Sequence, residues 1–192
     1  MRVIAGKARR LNLKTTPGLD TRPTADKVKE TLFNILSPYV PGCRFLDLFA
    51  GSGAIGIEAL SREASFCVFV DKDPRAVRCI KENLEFTHLA EDSLVIQKNV
   101  LGALAQLSML KEPFDVVYLD PPYEGGLEAE TLRALSKSGV INEDTMIILE
   151  AAKRTGTDFL EGLPYDVTRI KDYKNNRHIF MKLTPGGQEQ HD

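Results

Sequence analysis

The sequence predicts an α/β protein with a doubly wound, mostly parallel sheet that ends in an antiparallel hairpin. From residue 44 onward, short apolar runs alternate with segments of helical periodicity, as expected for parallel strands joined by helices. The first apolar run leads into a loop with two glycines directly before a helix, the usual start of a Rossmann-like, nucleotide-binding unit. The last two runs are separated only by the turn-forming cluster 173–176, which favours a hairpin over another crossover.

Each element has its own signal. Residues 2–14 predict a short amino-terminal hairpin, and 15–23 have the composition of a loop. A helix that begins near residues 24–26 carries one apolar stripe and ends before Pro38. The next strands are rich in Val, Ile, Leu and Phe, as strands buried on both faces should be. Strands are expected at 44–49, 66–71, 93–97, 114–120 and 145–150, helices at 53–62, 74–86, 100–110 and 127–138, and the hairpin strands at 165–172 and 177–183.

Length and composition suit one globular domain, since the chain has 192 residues and is 43% hydrophobic. We expect this domain to span 1–183, as a basic extension (1–40) and a cofactor-binding core (41–183), with a flexible tail at 184–192. The sequence lacks a run of about 20 apolar residues and a signal-peptide core, so we expect no membrane segment. Three cysteines without C-x-x-C spacing and three scattered histidines predict reduced thiols, no metal site and a cytoplasmic location.

The charge is distributed unevenly along the chain. Residues 1–29 hold eight basic and two acidic side chains, a net charge of +6, and the remaining 17 basic and 25 acidic side chains give −8. A basic segment on an acidic body predicts a surface for nucleic-acid phosphates, and a solvated basic segment without a partner is the alternative. The candidate contacts are Arg9, Arg10, Arg22 and Lys27.

The loop after the first core strand is the first candidate site. Residues 51–56 match G-x-G-x-x-G, which alone is equally consistent with a tight turn or a dinucleotide site. Asp47 favours a different ligand, because a carboxylate suits an amino group or a hydroxyl and not a pyrophosphate. The glycines permit close approach of a ligand to the backbone, and the following helix offers free N–H groups. The predicted cofactor contacts here are Asp47, Phe49, Ala50, Gly51, Ser52 and Gly53.

The ends of the second and third strands add further candidates. Asp71, followed by Lys72, lies 20 residues after Gly51, the usual offset of a carboxylate that binds ribose hydroxyls. The alternative role, capping of the next helix, is equally open to Asp73. Asn99 and Val100 are candidates for binding an adenine amino group and ring, and capping of a helix by Asn99 is as well supported.

Asp120-Pro121-Pro122-Tyr123 follows the fourth strand and is the most informative segment. Prolines lack N–H groups and stiffen the backbone, so the Asp120 carboxylate and the Pro121 carbonyl become fixed acceptors that suit an amino group. Tyr123 offers a flat face for a base, a contact worth about 1–3 kcal/mol. A strand-ending turn with a packed tyrosine is the alternative. We predict Asp120, Pro121 and Tyr123 as the catalytic residues.

Together these motifs resemble those of class I S-adenosylmethionine-dependent methyltransferases that act on the exocyclic amines of bases. The amino-terminal part is similar to the RsmD family of 16S rRNA guanine-N2 methyltransferases, and the likeness runs through about residue 125. Two features depart from that family: Asn99 stands where an acidic residue is common, and Asn175-Asn176 stands where a Tyr-Gly type turn is expected. The segments that carry the likeness are 2–6, 21–24, 26–34 and 46–53.

The resemblance implies methylation of a guanine N2 amine in 16S rRNA by transfer from S-adenosylmethionine. We expect the substrate to be 16S rRNA within the small ribosomal subunit or its precursor, and the protein to be a monomer that uses no metal. The resemblance also implies that Asp120 and Pro121 hold the amine while Tyr123 stacks on the base. Three alternatives stay open: adenine-N6 methylation of DNA or RNA, a noncatalytic RNA-binding assembly factor, and an NAD-dependent oxidoreductase. The last needs a substrate domain for which 192 residues leave little room.

Overall fold

The computed structural model describes residues 1–15, 23–110, 112–122 and 126–186. Seven strands and five α-helices lie within these ranges. The helices are α1 (Pro23–Leu36), α2 (Ala54–Ser61), α3 (Pro74–Thr87), α4 (Val100–Leu107) and α5 (Leu127–Lys137). The strands are β1 (Arg44–Leu48), β2 (Phe66–Asp71), β3 (Ser93–Gln97), β4 (Val116–Leu119), β5 (Met146–Ala152), β6 (Tyr165–Asp172) and β7 (Asn176–Leu183). A 3₁₀ turn at Ser108–Leu110 continues α4, where one longer helix was predicted.

All seven strands belong to one sheet with the order β3-β2-β1-β4-β5-β7-β6. Strands β1 to β5 pair in parallel, and β7 runs antiparallel to both β5 and β6. The predicted doubly wound sheet with a carboxyl-terminal hairpin is therefore confirmed. Since parallel strands end at the same edge, the loops after β1, β2, β4 and β5 come together there.

Each face of the sheet is covered by its own hydrophobic cluster. Helices α4 and α5 pack on one face, where side chains such as Leu104 and Leu135 are buried. Helices α1, α2 and α3 pack on the other face together with residues 1–15, which contribute Val3 and Leu13. Burial of each large apolar side chain contributes about 1.5–3 kcal/mol, so residues 1–15 share in the energy of the core.

Residues 1–15, the amino-terminal arm, are anchored by a buried carboxylate. The predicted short hairpin is present: Arg2 and Asn12 form an antiparallel bridge, and backbone hydrogen bonds from Val3 to Leu11 (2.9 Å) and from Leu13 to Met1 (2.8 Å) join its two sides. Glu58 on α2 has no exposed surface, and its two oxygens accept the backbone N–H groups of Ile4 (2.8 Å) and Ala5 (3.1 Å). Lys29 on α1 lies 3.1 Å from the same carboxylate, which pairs the buried charge.

Two further contacts fix the path of the arm. A Cβ on Gly6, at φ +82°, would lie 1.7 Å from the backbone oxygen of Ser61, so a side chain is excluded there. Asn83 on α3 is 1% exposed and bridges the arm to the loop after β1. Its Nδ2 donates to the carbonyls of Lys14 (3.0 Å) and Ser52 (2.9 Å), and its Oδ1 accepts from the N–H of Lys14 (2.8 Å). The arm is thus joined directly to the candidate cofactor loop.

At the other end of the chain, the backbone N–H of Thr184 donates to Pro164 (3.0 Å) and that of Gly186 donates to Glu143 (2.9 Å). The rest of the predicted tail, 187–192, lies outside the described residues. Across the described ranges, every helix is too short or too polar to cross a bilayer.

Candidate active site

A cavity of about 1250 Å³ opens at the carboxyl edge of the parallel strands. It is lined by the loops after β1 to β4, by residues of β5 and β7, by α1, α2 and α5, and by Met1 and Thr15 of the arm. Eleven of the predicted site residues meet in its wall: Asp47, Phe49, Ala50, Gly51, Ser52, Asp71, Lys72, Asn99, Val100, Asp120 and Pro121.

The other predicted residues lie elsewhere. Gly53 is the residue before α2; it donates its N–H to Ala50 but does not line the cavity. Arg9, Arg10 and Lys27 are exposed and do not line the cavity. Arg22 and Tyr123 lie outside the described residues.

The loop after β1 is held in an unusual backbone conformation. Phe49 has φ +64°, which costs a side-chain-bearing residue about 1–3 kcal/mol, and Gly51 and Gly53 have φ +57° and +78°. The N–H of Ala50 donates to Val70 (2.9 Å) and that of Gly53 donates to Ala50 (2.7 Å), which fixes the loop against β2. Such strain is concentrated at binding sites, where the surrounding fold holds it in place.

Gly56 has a packing role in the same motif. A Cβ at this position would lie 2.3 Å from the Phe69 ring and 2.6 Å from the Cys67 sulfur. The third glycine of G-x-G-x-x-G therefore lets α2 pack closely on β2, which is a structural requirement separate from ligand contact.

Asp47 lies at the floor of the cavity and is 1% exposed. Its Oδ2 accepts the N–H of Gly56 at 3.0 Å. Burial raises the pKa of this carboxyl to about 7, the Gly56 hydrogen bond opposes the rise, and the charge of Asp71 adds to it. A positive group that approaches this buried carboxyl would favour its charged form.

Asp71 is held by backbone donors on both oxygens. Gly51 donates to Oδ2 and Asp73 donates to Oδ1, each at 2.9 Å. Each oxygen keeps a lone pair for a further donor, as a pair of vicinal hydroxyls would require. Asp73, not Asp71, caps α3, because its side chain accepts the N–H of Arg75 at 2.8 Å.

Asn99 performs the capping role that was one of its two predicted alternatives. Its Oδ1 accepts the N–H of Gly102 at 2.8 Å at the start of α4. The residue also lines the cavity beside Val100, which is buried. The capping bond uses the oxygen, so the Nδ2 group is the part of Asn99 left to face a ligand.

Asp120 follows β4 directly and is exposed to the cavity, where the surrounding protein keeps part of the bulk water away from its carboxyl group. This desolvation, followed by the negative charges of Glu150 and Asp47, raises the pKa of the Asp120 carboxyl well above its ordinary value. Pro121 is buried beside it, so the Asp-Pro-Pro segment lies against the cavity wall as predicted from the sequence.

Sequence reasoning missed a group of polar side chains next to Asp120. Glu150 on β5 accepts hydrogen bonds from Tyr118 on β4 and from Asn176 on β7 (2.5 Å), and His178 Nε2 lies 3.2 Å from it. Tyr173 O–H lies 3.1 Å from His178 Nδ1. A usable signal existed, since Glu150 is the charged residue inside the apolar strand Met146–Ala152.

Within the described ranges, no cluster of three or more His, Cys, Asp or Glu side chains has an arrangement suited to a metal ion.

The strand order, the strained loop and the cavity at the sheet edge identify the fold as a Rossmann-like α/β fold. Solved structures with a similar fold include methyltransferases. A family model described as "Conserved hypothetical protein 95" matches residues 1–181. The chain belongs to this family, the RsmD family, which confirms the resemblance read from the sequence.

The similar proteins cover most of the chain. "Ribosomal RNA small subunit methyltransferase D" of Escherichia coli (strain K12) is 37% identical over 158 residues, which cover 81% of this chain and 77% of that protein. "Putative rRNA methyltransferase YlbH" of Bacillus subtilis (strain 168) is 41% identical over 150 residues, covering 78% and 82%. The solved structure "Putative methyltransferase yhhF from Escherichia coli" has a TM-score of 0.81 at 32% identity and covers 96% of this chain and 98% of that one.

Proposed function

We propose that this protein transfers the methyl group of S-adenosylmethionine to the exocyclic N2 amine of a guanine in 16S rRNA of the small ribosomal subunit or its precursor. One observation carries the proposal. Two hydrogen-bond acceptors for an amine, the Asp120 carboxylate and the Pro121 carbonyl, lie in the same cavity as Asp71 and the strained loop after β1. The relative of 37% identity named for small-subunit rRNA supports the choice of substrate.

The residues present fit the cofactor. Asp71 has lone pairs for two ribose hydroxyls, Asp47 is a buried acid suited to a cationic amino group, and Asn99 and Val100 offer an amide and an apolar edge to a base. S-adenosylmethionine supplies an electrophilic methyl group when bound. A solved chain with the same fold, SMU.776, is complexed with SAH; at 17% identity and a TM-score of 0.69 it shares the fold alone.

The two acceptors, Asp120 and the Pro121 carbonyl, would increase the nucleophilicity of a guanine amine. The lone pair of a guanine amine is delocalised into the ring, so the nitrogen is a poor nucleophile. Asp120 and the Pro121 carbonyl accept both N–H groups and favour a pyramidal nitrogen, and the carboxylate stabilises the positive charge that develops there. Tyr123, which lies outside the described residues, keeps its predicted role as a stacking face for the flipped base.

The RNA-binding surface is proposed to extend from the cavity over the arm. Met1 and Thr15 line the cavity, while Arg9 and Arg10 of the arm and Lys27 of α1 are exposed. Cationic side chains in this position suit contacts to the phosphate backbone, which position an RNA without reading its sequence. Arg22 belongs to the same proposed set. The protein is proposed to act as a monomer in the cytoplasm, where its substrate is assembled.

The test is transfer of labelled methyl from S-adenosylmethionine to small subunits, free 16S rRNA and DNA. We compare wild type with Asp120→Ala and with the matched control Asp166→Ala, an exposed carboxylate on β6. The proposal requires label on guanine N2 of 16S rRNA that is lost in Asp120→Ala and retained in the control. Label on adenine N6 would overturn the base assignment, and cofactor binding without transfer to any substrate would favour a noncatalytic assembly factor.

A further inference from the structure

A second carboxylate stands beside Asp120 in the cavity wall. Leu119 and Leu149 are register partners on the parallel strands β4 and β5, so Asp120 and Glu150 occupy the next register position of neighbouring strands. Side chains at equal register on adjacent strands lie on the same face of a sheet. Both residues line the cavity, and the proposed reaction has so far given no role to Glu150.

Glu150 is equipped to remain an anion. It receives hydrogen bonds from Tyr118 and Asn176 and lies 3.2 Å from His178 Nε2. Burial alone would raise the pKa of Glu150, but the hydrogen bonds from His178, Tyr118 and Asn176, with the charge of His178, hold it below its ordinary value.

Asp120 has the opposite environment. Within the described part of the chain, no group donates a hydrogen bond to its carboxylate, and the nearest charges that act on it are negative. Desolvation, Glu150 and Asp47 all raise the pKa of Asp120. The two neighbouring acids are thus made unequal by the protein: one is stabilised as an anion and the other as an acid.

Other charged groups face the same cavity and belong in the electrostatic balance. On the acceptor side these are Asp47 on β1, Glu150 on β5, His178 on β7 and Glu130 on α5. On the cofactor side they are Asp71, Lys72 and Lys98, with Lys29 of α1 paired to Glu58. Glu150 is the one among them that adjoins Asp120 along the sheet, and its effect should therefore be the largest.

We infer that Glu150 is a positioning residue for proton removal: held as an anion, it makes Asp120 the stronger base of the pair, so Asp120 takes the proton that the methylated amine loses. This inference rests on the proposed methyl transfer. Once the new N–C bond has formed, the nitrogen is positively charged. Its N–H bond breaks, the electron pair stays on nitrogen, and an O–H bond forms on Asp120. The proton then leaves to water, because Asp120 is open to the cavity.

The first experiment measures the Asp120 carboxyl directly and needs no catalysis. In the unliganded protein labelled with ¹³C at aspartate carboxyls, the Asp120 signal is assigned by its loss in Asp120→Asn and followed as a function of pH. Glu150→Gln is expected to lower the Asp120 midpoint by about one pH unit or more, since a neighbouring negative charge is removed. The matched control Glu130→Gln removes another, exposed cavity carboxylate and is expected to shift the midpoint much less than Glu150→Gln does. An unshifted midpoint in Glu150→Gln would overturn the inference.

A second variant protects the test against misfolding. Tyr118→Phe leaves the Glu150 carboxyl in place but removes one donor to its anion, so Glu150 takes up part of the proton that Asp120 would otherwise bind. The Asp120 midpoint should fall in the same direction by a smaller amount, and a rise would contradict the inference.

The second readout is the pH profile of single-turnover methyl transfer. Ionised Asp120 is needed, so the rate falls on the acid side, and in Glu150→Gln this decline should move to lower pH by the shift measured in the titration. A uniform loss of rate at every pH would assign Glu150 a merely structural role. If wild type transfers no methyl to RNA but the titration shift is present, the proposed function is wrong, whereas the effect of Glu150 on the proton affinity of Asp120 is confirmed.

Discussion

The buried carboxyl of Asp47 should lower the free energy of unfolding of the protein without bound cofactor. Its ordinary pKa is 3.8 and its pKa in the fold is about 7. Each pH unit between these values corresponds to about 1.4 kcal/mol, so the charged form costs the folded state about 4 kcal/mol above pH 7. Asp47→Asn removes the charge and keeps an oxygen that can accept the Gly56 N–H. Because a neutral amide also has a cost of burial, we expect a gain of about 2–4 kcal/mol at pH 8.

The sign of the pH dependence follows from the raised pKa. Between about pH 4 and pH 7 the folded state binds more protons at Asp47 than the unfolded state does, so this group lowers the free energy of unfolding as pH rises through that window. Below it, where the Asp47 carboxyl is protonated in both states, Asp47→Asn should be no more stable than wild type. Urea unfolding of both proteins from pH 4 to pH 8 measures this difference in the free energy of unfolding. In the control Asp166→Asn, which changes an exposed acid on β6, the difference from wild type should not depend on pH.

The reasoning would be refuted if Asp47→Asn were less stable than wild type at pH 8, or if the difference did not change with pH. The Asp47 charge should favour cofactor binding, because a bound cation would offset the cost of burying the charge. S-adenosylmethionine should therefore raise the unfolding temperature of wild type more than that of Asp47→Asn, and the variant should combine higher stability with weaker binding.

Three further variants test other parts of the structure. Asp71→Asn should weaken S-adenosylmethionine binding by about 10- to 100-fold in calorimetry, as expected for the loss of charge-assisted hydrogen bonds, while Asp73→Asn, which keeps the cap of α3, should bind normally. Gly6→Ala should lower the free energy of unfolding by about 2–4 kcal/mol, because its Cβ meets Ser61, whereas Gly139→Ala has a similar φ of +69° but open space and should lose only about 1 kcal/mol. Glu58→Gln leaves Lys29 buried without its anionic partner and should cost about 3–5 kcal/mol in urea unfolding.

Local patterns were sufficient to predict the parallel strands, the helices between them and the loop after β1, because these depend on periodicity, glycine positions and strand ends. The same patterns placed Asp71 and Asp120 at one edge of the sheet, since every parallel strand ends there. They could not resolve Asn99, where capping and ligand contact need the same residue type at the same position.

The contacts that anchor the arm and the partners of Glu150 could not be predicted from the sequence, for a different reason. Glu58 reaches Ile4 across 54 residues of sequence, and Glu150 meets His178 across 28. No local pattern encodes such pairs. The basic residues of the arm suggested only a surface, whereas Val3 and Leu13 are buried in the core.

Where a purification tag is attached will affect what is measured. Met1 lines the cavity and its carbonyl accepts the N–H of Leu13 at 2.8 Å, so residues fused ahead of it would begin beside the proposed RNA-binding surface. Gly186, by contrast, is bonded to Glu143 just before β5, at the opposite edge of the sheet. A carboxyl-terminal tag therefore leaves the cavity clear. Lack of activity in a preparation with an amino-terminal tag would not show that the untagged protein is inactive.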